Sequence, residues 1–479
     1  MNTVQRIAKN TGVLFTSQVI SKLLGFFFIM YTARYLGAEG FGILSFALAF
    51  TGIFGIFSDL GLRPLTVREV ARDKSLASKY LGNITVMKLI LVVITYGLIA
   101  LTINLLDYPE QTIKVVYLIA LSIIFNAFSQ MFYSIFQACE KMEYQSLGQI
   151  LNSALMLSGA LFAISQGLSV IFFAYIYFLV SGVVLGYNFV ISTWKFVKPK
   201  VEVDWSFWKP TIKRALPFAI SGIFLMIYFW IDRVMLSLIR GNAVVGYYSA
   251  AYNLVNALTL IPSAFVISIY PLMSNYFKTS KNSLNKLYQH SVRYMYILGL
   301  PIATGTVLLS RRIIYIVYGS EFMPSAYALN VLILAGFFVF VDIVLGKMLL
   351  SINRENVNMI NAGVGAVLNV ILNLLLIPKM SLIGAAVATV VTEFYFFLVA
   401  SYFISKAQYK IKFSKIIPKP LLAAFGMGLF IHYFNQASLS LLISVSALIY
   451  FAILYSSKYL SDDMVLIKKA LFGKPMGVD

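Results

Sequence analysis

The stretch GVLFTSQVISKLLGFFFIMYTA at residues 12–33, followed after RYLGAE (34–39) by GFGILSFALAFTGIFGIFSDLG at 40–61, decides the fold. Each run is long enough to cross a hydrocarbon core of ~30 Å as a helix. Between them Gly37-Ala38-Glu39-Gly40 leaves room only for a tight turn, which joins antiparallel neighbours. A β-barrel is excluded, because barrel spans are ~10-residue alternating segments and these runs are continuous.

The pattern repeats outward along the chain. Further apolar runs fall at 83–106, 113–136, 147–165, 168–192, 216–239, 246–273, 291–310, 326–350, 359–378, 382–404, 420–436 and 438–457, giving fourteen spans. Composition agrees: 60% of the 479 residues are hydrophobic, 12% are charged, and the mean hydropathy is +0.85. A soluble domain carries roughly a quarter of its residues as charges. No loop much exceeds ~20 residues, so no soluble catalytic domain is hidden between spans.

The net charge is +20. Its distribution reads as membrane topology, not nucleic-acid binding, because the cations are scattered over short loops. With the N-terminus inside, about 28 of the 38 basic residues fall on the cytoplasmic side and about 6 on the other. Both termini are therefore expected in the cytoplasm. The heaviest inner loops hold Arg63, Arg68, Arg72, Lys74 and Lys79, and then Lys195, Lys198, Lys200, Lys209, Lys213 and Arg214. Trp205 to Lys209 is expected as an interfacial helix before the seventh span, and Ser461 as the cap of an amphipathic helix running to Phe472. Cys139 alone allows no internal disulfide, and His290 and His432 are too far apart for a recognisable metal site. The start of the chain does not read as a signal peptide, since Lys22 interrupts the apolar run.

Spans one and two lie on spans seven and eight without a gap. Lys9 matches Lys213, Ser17 matches Ser221, Gly37 matches Gly241, Gly42 matches Gly246, Ser45 matches Ser249 and Ala47 matches Ala251. Six spans, an even number, make a parallel repeat, and transporters so built bind substrate between their two halves. The expected layout is an N-terminal lobe at 1–200, a C-terminal lobe at 201–405, and an added helix pair with tail at 406–479.

An ionisable group inside a span is costly unless it faces water or a partner, so each is a functional candidate. Lys22 lies near the middle of the first span, on a stripe with Gln18, Gly25, Ile29 and Thr32. A lone cation there suits a pyrophosphate in a cavity between the lobes; a structural ion pair with Asp232 or Glu393 is the competing reading. Asp232 and Arg233 are adjacent and point to different sides of the seventh helix. Arg233 is a phosphate candidate, and Asp232 a substrate-side neutraliser or proton carrier. Glu393 and Asp342 are candidates for ion or proton coupling, though Asp342 could instead approach Lys347. Lys88 is expected to snorkel. Amide and hydroxyl stripes also recur every three or four residues: Asn126, Gln130, Tyr133 and Gln137; Ser249, Asn253, Asn256, Thr259 and Ser263; Asn361, Gly365, Asn369 and Asn373. Asn256 and Asn369 are taken as sugar-binding candidates, with helix packing as the alternative.

The string Ala33-Arg34-Tyr35-Leu36-Gly37-Ala38-Glu39-Gly40-Phe41-Gly42, with Asp59-Leu60-Gly61-Leu62 and Arg68-Glu69, resembles the opening of the polysaccharide transporter family. That family belongs to the multidrug/oligosaccharidyl-lipid/polysaccharide exporter superfamily. Asp232-Arg233, the run from Gly246 to Tyr252, and Ile377-Pro378 through Ala386 resemble its second half. The resemblance implies a flippase that moves polyprenyl-pyrophosphate-linked oligosaccharide from the inner to the outer leaflet. Ser21-Lys22-Leu23-Leu24-Gly25 matches the basic motif of lipid-linked sugar flippases. Phe28 stands near the place of a second basic residue found in peptidoglycan-precursor flippases, a departure from that substrate class.

The expected partners are a lipid-linked glycan, membrane lipids and other polysaccharide-assembly proteins, with no cofactor, metal or nucleic acid. There is no Gly-x4-Gly-Lys-Ser/Thr phosphate loop, so ATP hydrolysis is not expected. A drug/cation antiporter of the same superfamily would want acids clustered in one lobe. A membrane glycan polymerase or ligase would want acids or histidines on an outer loop, where 311–325 offers only Glu321.

Overall fold

The computed structural model describes residues 3–198 and 202–459. The helix expected from Ser461 to Phe472 lies outside them. Among the described residues the regular structure is helical throughout, with no strand. The helices are α1 (Thr3–Gly55), α2 (Leu62–Arg72), α3 (Ala77–Leu105), α4 (Glu110–Ala138), α5 (Met142–Ser165), α6 (Val170–Lys195), α7 (Trp205–Arg240) and α8 (Asn242–Leu258). They continue with α9 (Leu260–Thr279), α10 (Lys281–Tyr318), α11 (Ser325–Ser351), α12 (Glu355–Met380), α13 (Leu382–Lys406), α14 (Phe413–Ile416), α15 (Pro418–Tyr433) and α16 (Leu439–Ser456).

Among the described residues thirteen helical stretches are long and apolar enough to cross a membrane. The first is too long for one crossing, and it is broken at Gly37, whose backbone is not helical (φ 67°, ψ −177°). Its two arms, before and after Gly37, supply the first and second of the fourteen expected spans. Gly241, between α7 and α8, takes nearly the same conformation (φ 85°, ψ 172°). These positions are matched in the expected internal repeat, and their backbone conformations agree. Positive φ of this kind admits glycine and little else.

Helix α1 packs on α5 within the N-terminal half and on α8 of the C-terminal half. Helix α4 packs on α6, α11 and α12 pack on α13, and α12 packs on α7. The pair α15 and α16 lies mainly against α10. Val93, Leu105, Leu375 and Phe425 are exposed on the outside of this bundle. In water such a surface would drive aggregation; against lipid tails it is the ordinary exterior of a spanning helix. The chain is a multi-pass membrane protein.

Several expectations change in detail. The expected span 246–273 is built from α8 and α9, which meet at Thr259 just before Pro262; proline lacks the N–H that would continue the ladder. Trp205 to Lys209 is no separate interfacial helix but the first turns of α7. Asp204 caps it by accepting from the Ser206 and Phe207 amides at 3.0 and 3.2 Å. The basic stretch after span two folds as α2, which packs on α4 and α7.

Two seams join the halves. On the far face, opposite the end from which α1 starts, Glu321 accepts from the Ala38 amide at 2.7 Å. There too Arg34 donates to the carbonyls of Ile316 and Val317, and Tyr108 meets Ser237 at 2.8 Å. On the near face Lys79 pairs with Asp204 at 2.9 Å, and the Trp208 indole donates to Asn83 at 3.0 Å.

Candidate functional site

Two cavities meet at Tyr177. The larger, of about 420 Å³, is walled by α1, α4, α5 and α6. Gln18, Ser21 and Lys22 face it from α1, because their three- and four-residue spacing stacks them on one side of the helix. Asn126, Gln130 and Tyr133 face it from α4, while the fourth member of that stripe, Gln137, is turned to Gln145 at 2.9 Å. Helices α5 and α6 add Gln149, Asn152, Ser153 and Ser181. That polar face of α5 was not singled out from the sequence, although its spacing carried the same signal as the stripe on α4.

The buried Ser21, Ser129, Gln130 and Gln149 side-chain oxygens at this cavity have no hydrogen-bond partner in the protein. Such groups are expensive to leave unsatisfied, so the wall is built for water or a polyhydroxylated ligand. No acidic residue lines it. Lys22 is exposed, and its Nζ lies 3.3 Å from the Thr259 hydroxyl at the break between α8 and α9. The competing ion pairs with Asp232 or Glu393 are not formed. The cavity differs from the expected inter-lobe space in one respect: its walls belong to the N-terminal half, and only the Lys22 head reaches across.

The second cavity, of about 180 Å³, is shared by the two halves. Phe28, Ile29 and Phe41 come from α1, and Trp230, Arg233, Asn253 and Asn256 from α7 and α8. The Arg233 guanidinium sits 4.9 Å from the Trp230 ring centroid and 4.7 Å from that of Tyr252. Its bond to Asn253 Oδ1 is long, 3.5 Å, and its Nε has no partner. A guanidinium has five N–H donors, so most of its capacity is unused while the flanking rings hold its plane in place.

Asp232 and Asn369 line neither cavity. Asp232 is buried inside the C-terminal half, where its carboxylate accepts from Asn373 at 2.6 Å, Thr389 at 2.8 Å and Tyr248 at 2.6 Å. Asn373 also bonds Asn369 Oδ1 at 3.0 Å. This network ties α7, α8, α12 and α13 together. In this structure the stripe on α12 therefore faces its helix neighbours, and not the two cavities. The Asn369 Nδ2 and Asn373 Oδ1 atoms there have no partner.

Asp342 on α11 and Glu393 on α13 come together. Tyr228 donates to Glu393, and the Asp342 carboxyl lies within bonding reach of Glu393. No donor reaches either Asp342 oxygen. Two carboxyls so placed bond only with a proton or cation between them. Lys347 does not pair with Asp342; its Nζ lies over the Tyr270 ring at 5.4 Å. Lys88 does not snorkel either. It is fully buried, bonded to Asp59 Oδ1 at 2.6 Å and to the Ala127 carbonyl at 3.0 Å. Among the described residues no group of three or more His, Cys, Asp or Glu could hold a metal.

The sequence profile of the polysaccharide biosynthesis protein family matches residues 7–277, and that of the MatE family matches 217–375. Among curated relatives, "Probable low-salt glycan biosynthesis flippase Agl15" of Haloferax volcanii is 27% identical over 398 residues, covering 80% of each chain. "Capsular polysaccharide biosynthesis protein CapF" of Staphylococcus aureus is 24% identical over 400 residues, covering 81% of this chain and 96% of that one. Among solved structures, "Lipid II flippase MurJ, inward closed conformation" superposes with a TM-score of 0.76 at 17% identity, over 95% of this chain and all of that one. The profile match covers more than half of the chain and the fold agrees throughout its length: the chain belongs to the polysaccharide biosynthesis protein family, within the multidrug/oligosaccharidyl-lipid/polysaccharide exporter superfamily.

Proposed function

We propose that this protein is a flippase that carries polyprenyl-pyrophosphate-linked oligosaccharide across the cytoplasmic membrane by alternating access. The observation that carries this reading is the chemistry of the two cavities. Each holds a single cation, Lys22 or Arg233, and neither is lined by an acid. A net positive site recessed between helices attracts a pyrophosphate more strongly than bulk water would allow. The amides and hydroxyls around Lys22 suit sugar hydroxyls, and the rings beside Arg233 suit the face of a sugar. The named relatives act in glycan flipping and capsular polysaccharide synthesis, which supports the same substrate class.

In this reading Lys22 and Arg233 capture the headgroup while the lipid tail stays in the bilayer. The seam at Glu321 and Ala38 and the seam at Lys79 and Asp204 open in turn. Asp342 and Glu393 carry a proton or cation that drives the cycle. A drug/cation antiporter would reverse the polarity of the cavities. A polymerase or ligase lacks support, since the outer carboxylate Glu321 is engaged with Ala38. The protein is read as a transporter that works beside other polysaccharide-assembly proteins.

The test is flipping of a fluorescent polyprenyl-pyrophosphate oligosaccharide in proteoliposomes. Wild type and Lys22→Arg are expected to flip, and Lys22→Ala to lose activity. Normal flipping by Lys22→Ala removes the site assignment. A wild type that moves no lipid-linked sugar but exchanges an organic cation for protons replaces the substrate class.

A further inference from the structure

Helix α8 and the residue that ends it carry a row of polar side chains that touches both cavity cations. Asn253 accepts from Arg233 Nη2 at 3.5 Å, Asn256 faces the smaller cavity beside it, and Thr259 accepts from Lys22 Nζ at 3.3 Å. Lys22 belongs to the N-terminal half and Arg233 to the C-terminal half. One face of one helix therefore reaches the cations of both halves.

The break after α8 puts Thr259 in that row. Pro262 has no N–H, so the Leu258 carbonyl receives no ladder bond from four residues on. The Thr259 amide bonds the Asn256 carbonyl at 3.2 Å, three residues back instead of four. A turn of that kind eclipses the side chains at its two ends, which sets Thr259 over Asn256. The Thr259 hydroxyl also donates to the Asn256 carbonyl, at 2.7 Å. With its proton so committed the hydroxyl offers only lone pairs, which accept from a cation and give nothing to a phosphate oxygen. Thr259 is thus built to hold Lys22 and not an anion.

Lys22 needs such an anchor. Its side chain is a long flexible stem with an exposed head, and no acid lines its cavity. The bond to Thr259 is the one hydrogen bond that its ammonium makes among the described residues. An ammonium has three donors, so two stay free for phosphate oxygens. The two anchor points, Asn253 and Thr259, stand about 9 Å apart along the helix. A single phosphate does not bridge that separation, whereas a pyrophosphate with its first sugar does.

We propose that Thr259 is a positioning residue for headgroup capture: it holds the Lys22 ammonium at a fixed place on the C-terminal half, in register with Arg233, so that both cations meet one pyrophosphate-linked headgroup. This rests on the flippase reading and adds to it the group that sets Lys22.

The test is binding of undecaprenyl pyrophosphate to the full chain by native mass spectrometry, beside initial flipping rates in proteoliposomes and a thermal unfolding midpoint. Thr259→Val keeps the shape of the side chain and removes the hydroxyl. It is expected to weaken binding about fivefold, to raise KM with kcat near wild type, and to leave the midpoint unchanged. Thr259→Ser returns a hydroxyl and should restore binding. In a Lys22→Ala background Thr259→Val should weaken binding no further, since the residue acts only through Lys22. Wild-type affinity in Thr259→Val, a serine variant that fails to restore it, or the same further loss in the Lys22→Ala background overturns the proposal and leaves the flippase reading in place. So does a midpoint that falls together with kcat, which would assign Thr259 to holding the break between α8 and α9. A wild type that neither binds nor flips the pyrophosphate lipid overturns both.

Discussion

Gly42 and Gly246 face each other across the two halves of the molecule, each pressed on the backbone at the start of the other's helix. A Cβ on Gly42 would fall 1.8 Å from the Asn242 carbonyl oxygen, and a Cβ on Gly246 would fall 2.1 Å from that of Ala38. Gly42 matches Gly246 and Ala38 matches Asn242 at the same sequence offset, so the contact is reciprocal. Close backbone approach at small residues is how helices gain contact in a bilayer, where no hydrophobic force pulls them together.

Gly42→Ala or Gly246→Ala forces these helices apart, because the obstacle is backbone and cannot rotate away. Each is expected to destabilise the protein by about 1–3 kcal/mol. A thermal unfolding midpoint in detergent reads this, and a midpoint equal to wild type in both variants would mean the far seam is looser than the contact implies.

The pair of buried Lys88 and half-buried Asp59 predicts a non-additive cycle. Asp59→Asn strands the buried ammonium and is expected to cost about 3–5 kcal/mol, whereas Lys88→Met leaves a carboxylate that still accepts from the Arg63 amide at 3.2 Å and is expected to cost less. The double variant should cost clearly less than the two singles added together. Simple additivity, measured by unfolding of all four proteins, would show that the two groups do not hold each other.

Arg233 depends on shape as well as charge. Arg233→Lys keeps a cation but loses the planar group held between Trp230 and Tyr252, so flipping is expected to fall about tenfold, close to the worth of a desolvated cation–π contact. The assay is initial flipping rate in proteoliposomes, beside a folding check by size-exclusion profile. Wild-type rates with lysine would assign the site to charge alone.

Asp342→Asn places an amide donor where a proton or cation must otherwise join two carboxyls. The variant is expected to fold at least as well as wild type, because Glu393 gains a permanent donor. If the pair couples transport, its flipping rate should lose pH dependence between about pH 6 and 8, where a proton-driven cycle in wild type responds. Flipping measured across that range decides it; an unchanged profile in the variant removes the pair from coupling.

The near seam has its own pH signature. Bonds from the Ser206 hydroxyl and then from Lys79 hold the Asp204 carboxyl down to about 2. A depressed carboxyl contributes stability that is present above the ordinary carboxylate range near ~4 and is lost as pH falls through the folded value. Asp204→Asn retains a helix cap but loses the charge. Its midpoint should therefore lie below wild type from neutral pH to about pH 5, with the gap closing towards pH 2. A gap that persists at pH 2 would point to the cap instead of the ion pair.

The approximate number of crossings, the turn glycines at 37 and 241, and the intramembrane cations Lys22 and Arg233 were legible in the chain itself. Each rests on local information. A run of apolar residues long enough to span needs no partner to be recognised, and the matched glycines at 37 and 241 fix a turn by their own backbone freedom. Lys22 and Arg233 stand out because a charge in such a run demands a reason. What the tertiary structure alone decided is which polar groups meet. Lys88 found Asp59, Asp342 found Glu393 rather than Lys347, and Asp232 and Asn369 turned into the C-terminal half away from the cavities. These outcomes depend on how each helix is rotated about its axis. In a soluble bundle, the polar stripe facing water reports that rotation. In a membrane the outer face is as apolar as the core, so the sequence of a single helix does not say which side faces its neighbours.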